Sequence, residues 1–206
     1  YTSYGQTETG GEVLYSPVGT PDDPLAITVG LPPQGVLTRL ADAEGKLVAK
    51  GEAGEIQVKS DMNMLGYWQR PEATKEAFTR DGWLRTGDLA EQLGNGYYRI
   101  VGRLKEMYKS GGYNIYPREI EILLESHPAV AIAAVVSVPD PLYSEVGHAF
   151  ILLEENQRIT EQELKDFCRD KLANYKIPKR FILCDNLPML PIGKVDKVAL
   201  KKEALI

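Results

Sequence analysis

Gly102-Arg103-Leu104-Lys105-Glu106, with Lys109-Ser110-Gly111-Gly112-Tyr113-Asn114-Ile115-Tyr116-Pro117-Arg118-Glu119-Ile120-Glu121 close behind it, is the stretch that divides this chain. Ahead of it, residues 1–101 hold 9 basic and 14 acidic side chains; from 102 to 206 there are 15 of each. The net charge of −5 over 206 residues therefore belongs to the first half alone. A break of that kind predicts two units with different tasks, residues 1–103 and 104–206, within the size range of small domains.

Toward the N-terminus the chain reads as mainly β. Segments 36–40, 46–48, 54–59, 90–93 and 97–101 are short, apolar-rich and punctuated by Gly and Pro. Gly94-Asn95-Gly96 tolerates positive φ and predicts a hairpin between the last two. A short helix is expected from Pro71 to Phe78, with Pro71 at a first helical position and Asp81-Gly82 as the stop. Toward the C-terminus helices and strands alternate. Pro117 opens a helix to about Ser126; 130–138 is a nearly continuous apolar run, as in a strand buried on both faces. Further strands are expected at 147–153 and 179–184. Between them Thr160-Glu161-Gln162-Glu163 is a capping box, opening a helix with Leu164, Phe167, Cys168 and Leu172 on one face. The fold class is α+β.

Composition excludes several classes. Hydrophobic residues make up 43%, enough for a packed core. No apolar run approaches the roughly 20 residues of a membrane-spanning helix. The acidic balance argues against general nucleic-acid binding. The two cysteines, Cys168 and Cys184, have no metal-ligand spacing and predict neither a zinc site nor a disulfide framework, which points to a reducing cytoplasm.

Four stretches carry candidate chemistry. Tyr4-Gly5-Gln6-Thr7-Glu8 combines an aromatic that can stack on a base, a glycine that permits close backbone approach, a hydroxyl for a phosphate and a carboxylate for Mg²⁺; alone, it is equally a polar surface loop. In Trp83-Leu84-Arg85-Thr86-Gly87-Asp88 the carboxylate can accept the two hydroxyls of a ribose, or simply cap a turn. In the dividing stretch Arg103 offers a fork of donors, and Gly111-Gly112 would let a narrow ligand pass along the backbone; a linker with a glycine turn is the other reading, which so dense a stretch disfavours. Pro188-Met189-Leu190-Pro191-Ile192-Gly193-Lys194 presents a cation on a stiff loop, although a solvated lysine would look the same. It is not a P-loop: Pro188 stands where that motif needs Gly, and Val195 where it needs Ser or Thr.

In this order the runs GYWQRPEATKEAF with DGWLRTGD, GYYRIVGRLKEMYKSGGYNIYPREIE and LPIGKVDK resemble the acyl-adenylate-forming enzymes, above all the AMP-forming acyl-CoA synthetases of the fatty-acid or aryl-acid type, over essentially the whole chain. The resemblance implies the β-rich end of a large adenylation domain, a distorted barrel, followed by a mobile α+β C-terminal lid with a three-stranded sheet core. It implies that Tyr4 packs on adenine, with Gly5 beside it, that Thr7 holds the α-phosphate region and that Glu8 ligates Mg²⁺. Asp88 and Arg103 then grip the ribose, Lys105 is the hinge, and Lys194 is the catalytic lysine of adenylation. Ser110, Gly111, Gly112 and Tyr113 line the channel for the pantetheine arm of coenzyme A. The implied substrates are ATP, yielding AMP, a carboxylic acid and coenzyme A. Basic clusters at Lys176, Lys179, Arg180 and Lys201-Lys202 suit coenzyme A phosphates or are solvated faces. The loop around Lys194 also looks like one read by lysine acetyltransferases.

Lys105 stands where many acyl-CoA synthetases have Asp, and Ile192 where a small hydroxyl residue is frequent. By the same resemblance the Ser/Thr/Gly-rich phosphate loop and most of the acyl pocket lie upstream, so the chain reads as the C-terminal portion of a longer enzyme, inactive by itself. The competing readings are an adenylation domain that loads a carrier protein, a luciferase-type oxygenase, and a non-catalytic module that binds a nucleotide or partner.

Overall fold

The computed structural model describes residues 1–21 and 27–205, which fall into two units, Tyr1–Lys105 and Glu106–Ile206. In the first, β1 (Ser3–Gln6) pairs antiparallel with β2 (Gly11–Tyr15), and β3 (Leu37–Ala41), β4 (Gly54–Lys59), β5 (Leu84–Gln92) and β6 (Tyr98–Arg103) form an antiparallel sheet in chain order. Chain-order neighbours are what short connections produce. The Gly94-Asn95-Gly96 turn closes β5 onto β6: the Leu93 amide donates to the Tyr97 carbonyl at 2.8 Å and the Gly96 amide to the Leu93 carbonyl at 2.9 Å. Helix α1 (Pro71–Ala77) starts with its proline at the first turn, where no amide is needed. Val13 and Leu14 of β2 pack with Leu40, Ile56, Val58, Ala90 and Tyr98 of the sheet.

The distorted barrel expected for this unit is stitched on one side only. Residues 29–31 bridge β2 to β6, with the Tyr15 and Leu31 amides and carbonyls exchanged at 3.0 and 2.9 Å and the Val29 amide on the Tyr98 carbonyl at 2.8 Å. Among the described residues no ladder joins β1 to β3, so the sheet stays open there.

The second unit contains β7 (Tyr108–Ser110), β8 (Tyr113–Ile115), α2 (Pro117–Glu125), β9 (Val130–Asp140), β10 (Ser144–Leu153), α3 (Glu161–Arg169), β11 (Arg180–Cys184) and α4 (Lys197–Glu203). β10 is central: it pairs antiparallel with β9 and parallel with β11. The apolar run of β9 is explained by burial on both faces. Ala133 and Val135 join Ile120 and Leu124 of α2 and Leu164 and Cys168 of α3, while Ala134 and Val136 join Phe150, Leu187 and Leu200 of α4. The capping box forms at α3: the Thr160 hydroxyl accepts from the Glu163 amide at 3.2 Å and the Glu163 carboxylate accepts from the Thr160 amide at 2.8 Å.

Three strands were expected here and five form one sheet. The extra pair, β7–β8, arises inside the glycine stretch. Gly111 and Gly112 both take left-handed φ, +56° and +88°, the combination a two-residue type I′ hairpin turn requires. The hairpin joins β10 through Ser110 opposite Ser144. Among the described residues no helix is long and apolar enough to cross a membrane.

Candidate functional site

Asp88 is a buried side chain of the first unit held from several sides. It lies near the end of the paired part of β5, directly opposite Arg103 on β6, so two motifs far apart in sequence become cross-strand neighbours. Only 5% of the residue is exposed. Its Oδ1 is ion-paired with Arg103, whose Nε lies 2.9 Å away; its Oδ2 accepts from the Tyr4 hydroxyl and from Gln6 Nε2, each at 2.7 Å. Tyr4 and Gln6 reach it together because they sit two apart on β1 and so share a face. The supporting shell is equally specific. Gln6 Nε2 also donates to the Thr86 carbonyl at 3.0 Å, the Asp88 amide donates to the Thr86 hydroxyl at 3.1 Å, and the Gly87 amide donates to buried Glu55 at 3.1 Å. Hydrogen bonds to a charged group each contribute about 1.5–3 kcal/mol.

Burial, and then the neighbouring Asp88 charge, pushes the Tyr4 phenol well above its ordinary value, so it remains a donor throughout the neutral range. A carboxylate has about four acceptor positions; both hydrogen bonds to Asp88 go to Oδ2, which leaves acceptor capacity on Oδ1 beside the guanidinium. Arg103, with a side chain 58% exposed, still has its terminal N–H groups. A hydroxyl docking there would donate to Oδ1 while accepting from Arg103.

The turn after β1 carries Thr7 and Glu8 in a 3-10 turn, Thr7–Thr9. Thr7 is exposed and Glu8 half-buried. Glu8 Oε1 accepts from the Tyr67 hydroxyl at 2.9 Å, which pushes that phenol up in turn. Among the described residues no group of three or more His, Cys, Asp or Glu could enclose a metal ion. A Cβ on Gly5 would meet the Gly11 carbonyl oxygen at 2.2 Å, so the chain's own β2 approaches this glycine closely.

In the second unit Lys194 is exposed and its ammonium has no hydrogen-bond or ion-pair partner among the described residues. Its backbone is fixed: the Leu190 amide donates to the Lys194 carbonyl at 2.7 Å, the Gly193 amide to the Leu190 carbonyl at 2.9 Å, and Met189 pairs with Val195. Pro191 sits between these contacts with its φ preset. The loop is therefore a tight hairpin that carries a bare cation. Lys105, the last residue of the first unit, is exposed.

Ser110, Gly111, Gly112 and Tyr113 come together as the β7–β8 turn. The hairpin already demands both glycines, so their presence does not by itself require a ligand. Tyr113 stacks on Tyr175, centroids 4.2 Å apart. Below the turn a pocket of about 280 Å³ is lined by Ser110, Tyr143, Asn174, Tyr175 and Lys179, among others, with the Lys179 ammonium 4.4 Å over the Tyr143 ring. Of the basic clusters, Lys176 is paired with Glu119 at 2.6 Å and Lys201 donates to Ser137 at 2.9 Å.

Gln6, Thr86 and Glu55 were not foreseen. The period-2 pattern through Tyr4 and Gln6 could have found the first; Glu55 acts through a register that no local signal encodes.

Residues 1–68 match the family model described as AMP-binding enzyme, and residues 119–194 match that of the AMP-binding enzyme C-terminal domain. The sulfoacetate–CoA ligase of Cupriavidus necator is 40% identical over 202 residues, covering 97% of this chain and 39% of the relative. ATP-bound MatB from Rhodopseudomonas palustris matches with a TM-score of 0.89 at 35% identity, over 98% of this chain and 40% of that one. The o-succinylbenzoate CoA synthetase (MenE) of Bacillus subtilis, in complex with the acyl-adenylate intermediate OSB-AMP, matches with a TM-score of 0.88 at 35% identity, over 97% of this chain and 40% of that one. The chain thus spans about two-fifths of the length of these proteins.

Proposed function

The chain belongs to the AMP-binding enzyme family, and from that premise we propose that the protein carrying it is an ATP-dependent acyl-CoA synthetase. A carboxylate oxygen attacks the α-phosphorus of ATP, the bond to pyrophosphate breaks, and an acyl-adenylate forms. The thiolate sulfur of coenzyme A then attacks the acyl carbon, and AMP leaves with the carboxyl oxygen.

The observation that carries this reading is the Asp88 cradle, a buried carboxylate whose open acceptor position lies beside the Arg103 guanidinium. A ribose presents two adjacent hydroxyls, and this pair of residues offers them an acceptor and donors together. Tyr4 and Gln6 hold Asp88 in place; the resemblance adds Tyr4 as the platform for adenine. Thr7 is assigned to the α-phosphate region. Glu8 would hold Mg²⁺, whose charge supports the meeting of carboxylate and phosphate. Lys194 neutralises charge developing at the phosphorus in the first step; removing one preorganised contact of this kind costs on the order of 10²–10³ in rate.

The second step needs no such cation. We assign it to the hairpin of Ser110, Gly111, Gly112 and Tyr113, with Tyr143, Tyr175 and Lys179 supplying aromatic faces and a cation for coenzyme A. A hinge at Lys105, where the two units divide, would let the lid exchange Lys194 for this hairpin between steps. We place the enzyme in the cytoplasm and in fatty- or aryl-acid activation; both cysteines are free, Cys168 buried, and its thiol is pushed up by burial to about 11, which keeps it inert. Lys194, exposed on its hairpin, is also open to a lysine acetyltransferase. Acetylation there should abolish adenylation by removing the charge; full activity after verified acetylation would exclude that control.

The test is pyrophosphate release by the full-length protein with a panel of carboxylic acids, followed by thioester formation with coenzyme A. Release with at least one acid and a matching acyl-CoA is expected. No release with any acid overturns the reading, and release without thioester points to a carrier-protein acceptor.

A further inference from the structure

Three residues beyond Lys194 stands a second lysine in quite different surroundings. Lys197 opens α4, and its ammonium lies 2.7 Å from Oε1 of Glu121, a carboxylate in α2 that is 3% exposed. The same ammonium donates to Glu106, the first residue of the second unit. Glu121 is fixed in turn: Oε1 accepts from the Val135 amide of β9 at 2.9 Å, and among the described residues its other ion-pair partner, Arg118, stays 3.6 Å away from Oε2. Lys197 follows directly on the hairpin that carries Lys194. The hairpin stem closes through the Asp196 amide on the Pro188 carbonyl at 2.8 Å, and Asp196 caps α4 through the Val198 and Ala199 amides. Apolar packing of Leu187 and Val195 supports the same stem, but such contacts are non-directional, whereas an ion pair onto a buried, backbone-anchored carboxylate fixes a point in space.

We propose that Lys197 is the positioning residue for Lys194: by tying the base of the hairpin to buried Glu121 and to Glu106 it sets where the Lys194 ammonium is delivered. This rests on the adenylation reading for its consequence, though not for its geometry. Adenylation tolerates little error in a charge placed on the reaction centre, since a displacement of about 1 Å can cost on the order of 10²-fold. Lys197 touches no reacting atom. Its contribution is the fixed origin from which Lys194 reaches.

Lys197→Met alone strands the Glu121 carboxylate and should lower the melting temperature by about 10 °C or more, through loss of a buried partner. The informative variant is therefore Lys197→Met with Glu121→Gln, which removes both charges and keeps an acceptor for the Val135 amide. It should melt within a few degrees of the parent. In the full-length protein its adenylation kcat should still fall about 10- to 100-fold with little change in the KM for ATP, while thioester formation from supplied acyl-adenylate stays within about twofold. Lys197→Arg should restore most of the loss. Recovery of adenylation together with stability in the double variant would reduce Lys197 to a structural role and overturn the proposal. A readout independent of catalysis is amide exchange at Leu190 and Gly193, followed by NMR in this chain. It should accelerate at least about tenfold in the double variant, and unchanged exchange overturns the anchor. A parent that adenylates no acid while its hairpin loosens as described would remove the functional reading and leave the anchor standing.

Discussion

The Asp88 cradle and the Lys194 hairpin are opposites in construction. Asp88 is almost fully buried and receives two hydrogen bonds from β1 and an ion pair from β6. Lys194 is exposed, and only its backbone is held. A group that recognises a ground-state feature gains by being preorganised, because nothing is left to reorganise when the ligand arrives. A group that answers charge appearing only in the transition state must stay unpaired until then, because a resident counter-ion would have to be displaced first. The hairpin meets that condition by fixing the main chain and leaving the ammonium bare.

The largest effect should come from Lys194→Ala in the full-length protein. Adenylation should fall by on the order of 10²–10³, about 3–4 kcal/mol, with thioester formation from supplied acyl-adenylate largely spared. Equal losses in both half-reactions would erase the division of labour between the Lys194 hairpin and the glycine hairpin. Next in size is a pH effect confined to the cradle. The Tyr4 phenol is raised in the folded state, first by burial and then by Asp88, so its contribution is complete below about pH 10 and shrinks as pH rises past the unfolded value. The parent's unfolding free energy should therefore fall more steeply above pH 10 than that of Tyr4→Phe, by at most about 1.4 kcal/mol per pH unit in denaturant titrations. Parallel curves would show that the phenol is not held as described. The smallest effect tests hairpin stiffness. Pro191→Gly frees the unfolded chain and the loop, for about 0.4–1 kcal/mol. Adenylation should slow about two- to fivefold with no change in AMP affinity; an unaltered rate would mean that the loop's rigidity is immaterial.

The same contrast explains what could be read ahead of the structure. Local signals were reliable: Pro71 and Pro117 open helices, the capping box at Thr160 forms, and Gly94-Asn95-Gly96 turns the chain. The Lys194 loop was legible because Pro191 and Gly193 act within a few residues of the lysine they present. The cradle was only half legible. Tyr4, Asp88 and Arg103 stood out by residue type, yet their meeting depends on β5–β6 register and on β1 reaching the sheet, and pairings across about 84 positions leave no mark in a local window. Gln6 and Glu55 were missed for that reason. The glycine pair at 111–112 carried a second meaning that its chemistry alone did not show: the backbone uses both residues to turn β7 into β8. Lys197 was hidden because its significance comes from a buried carboxylate 76 positions away.

The contrast is tested most directly by calorimetric titration of AMP into the full-length protein, its Asp88→Asn variant and its Lys194→Ala variant. With the cradle as the ribose grip, Asp88→Asn should weaken AMP at least about tenfold, equivalent to about 1.4 kcal/mol, and Lys194→Ala should leave it within about twofold. Equal weakening in the two variants, or undiminished affinity in Asp88→Asn, would contradict it.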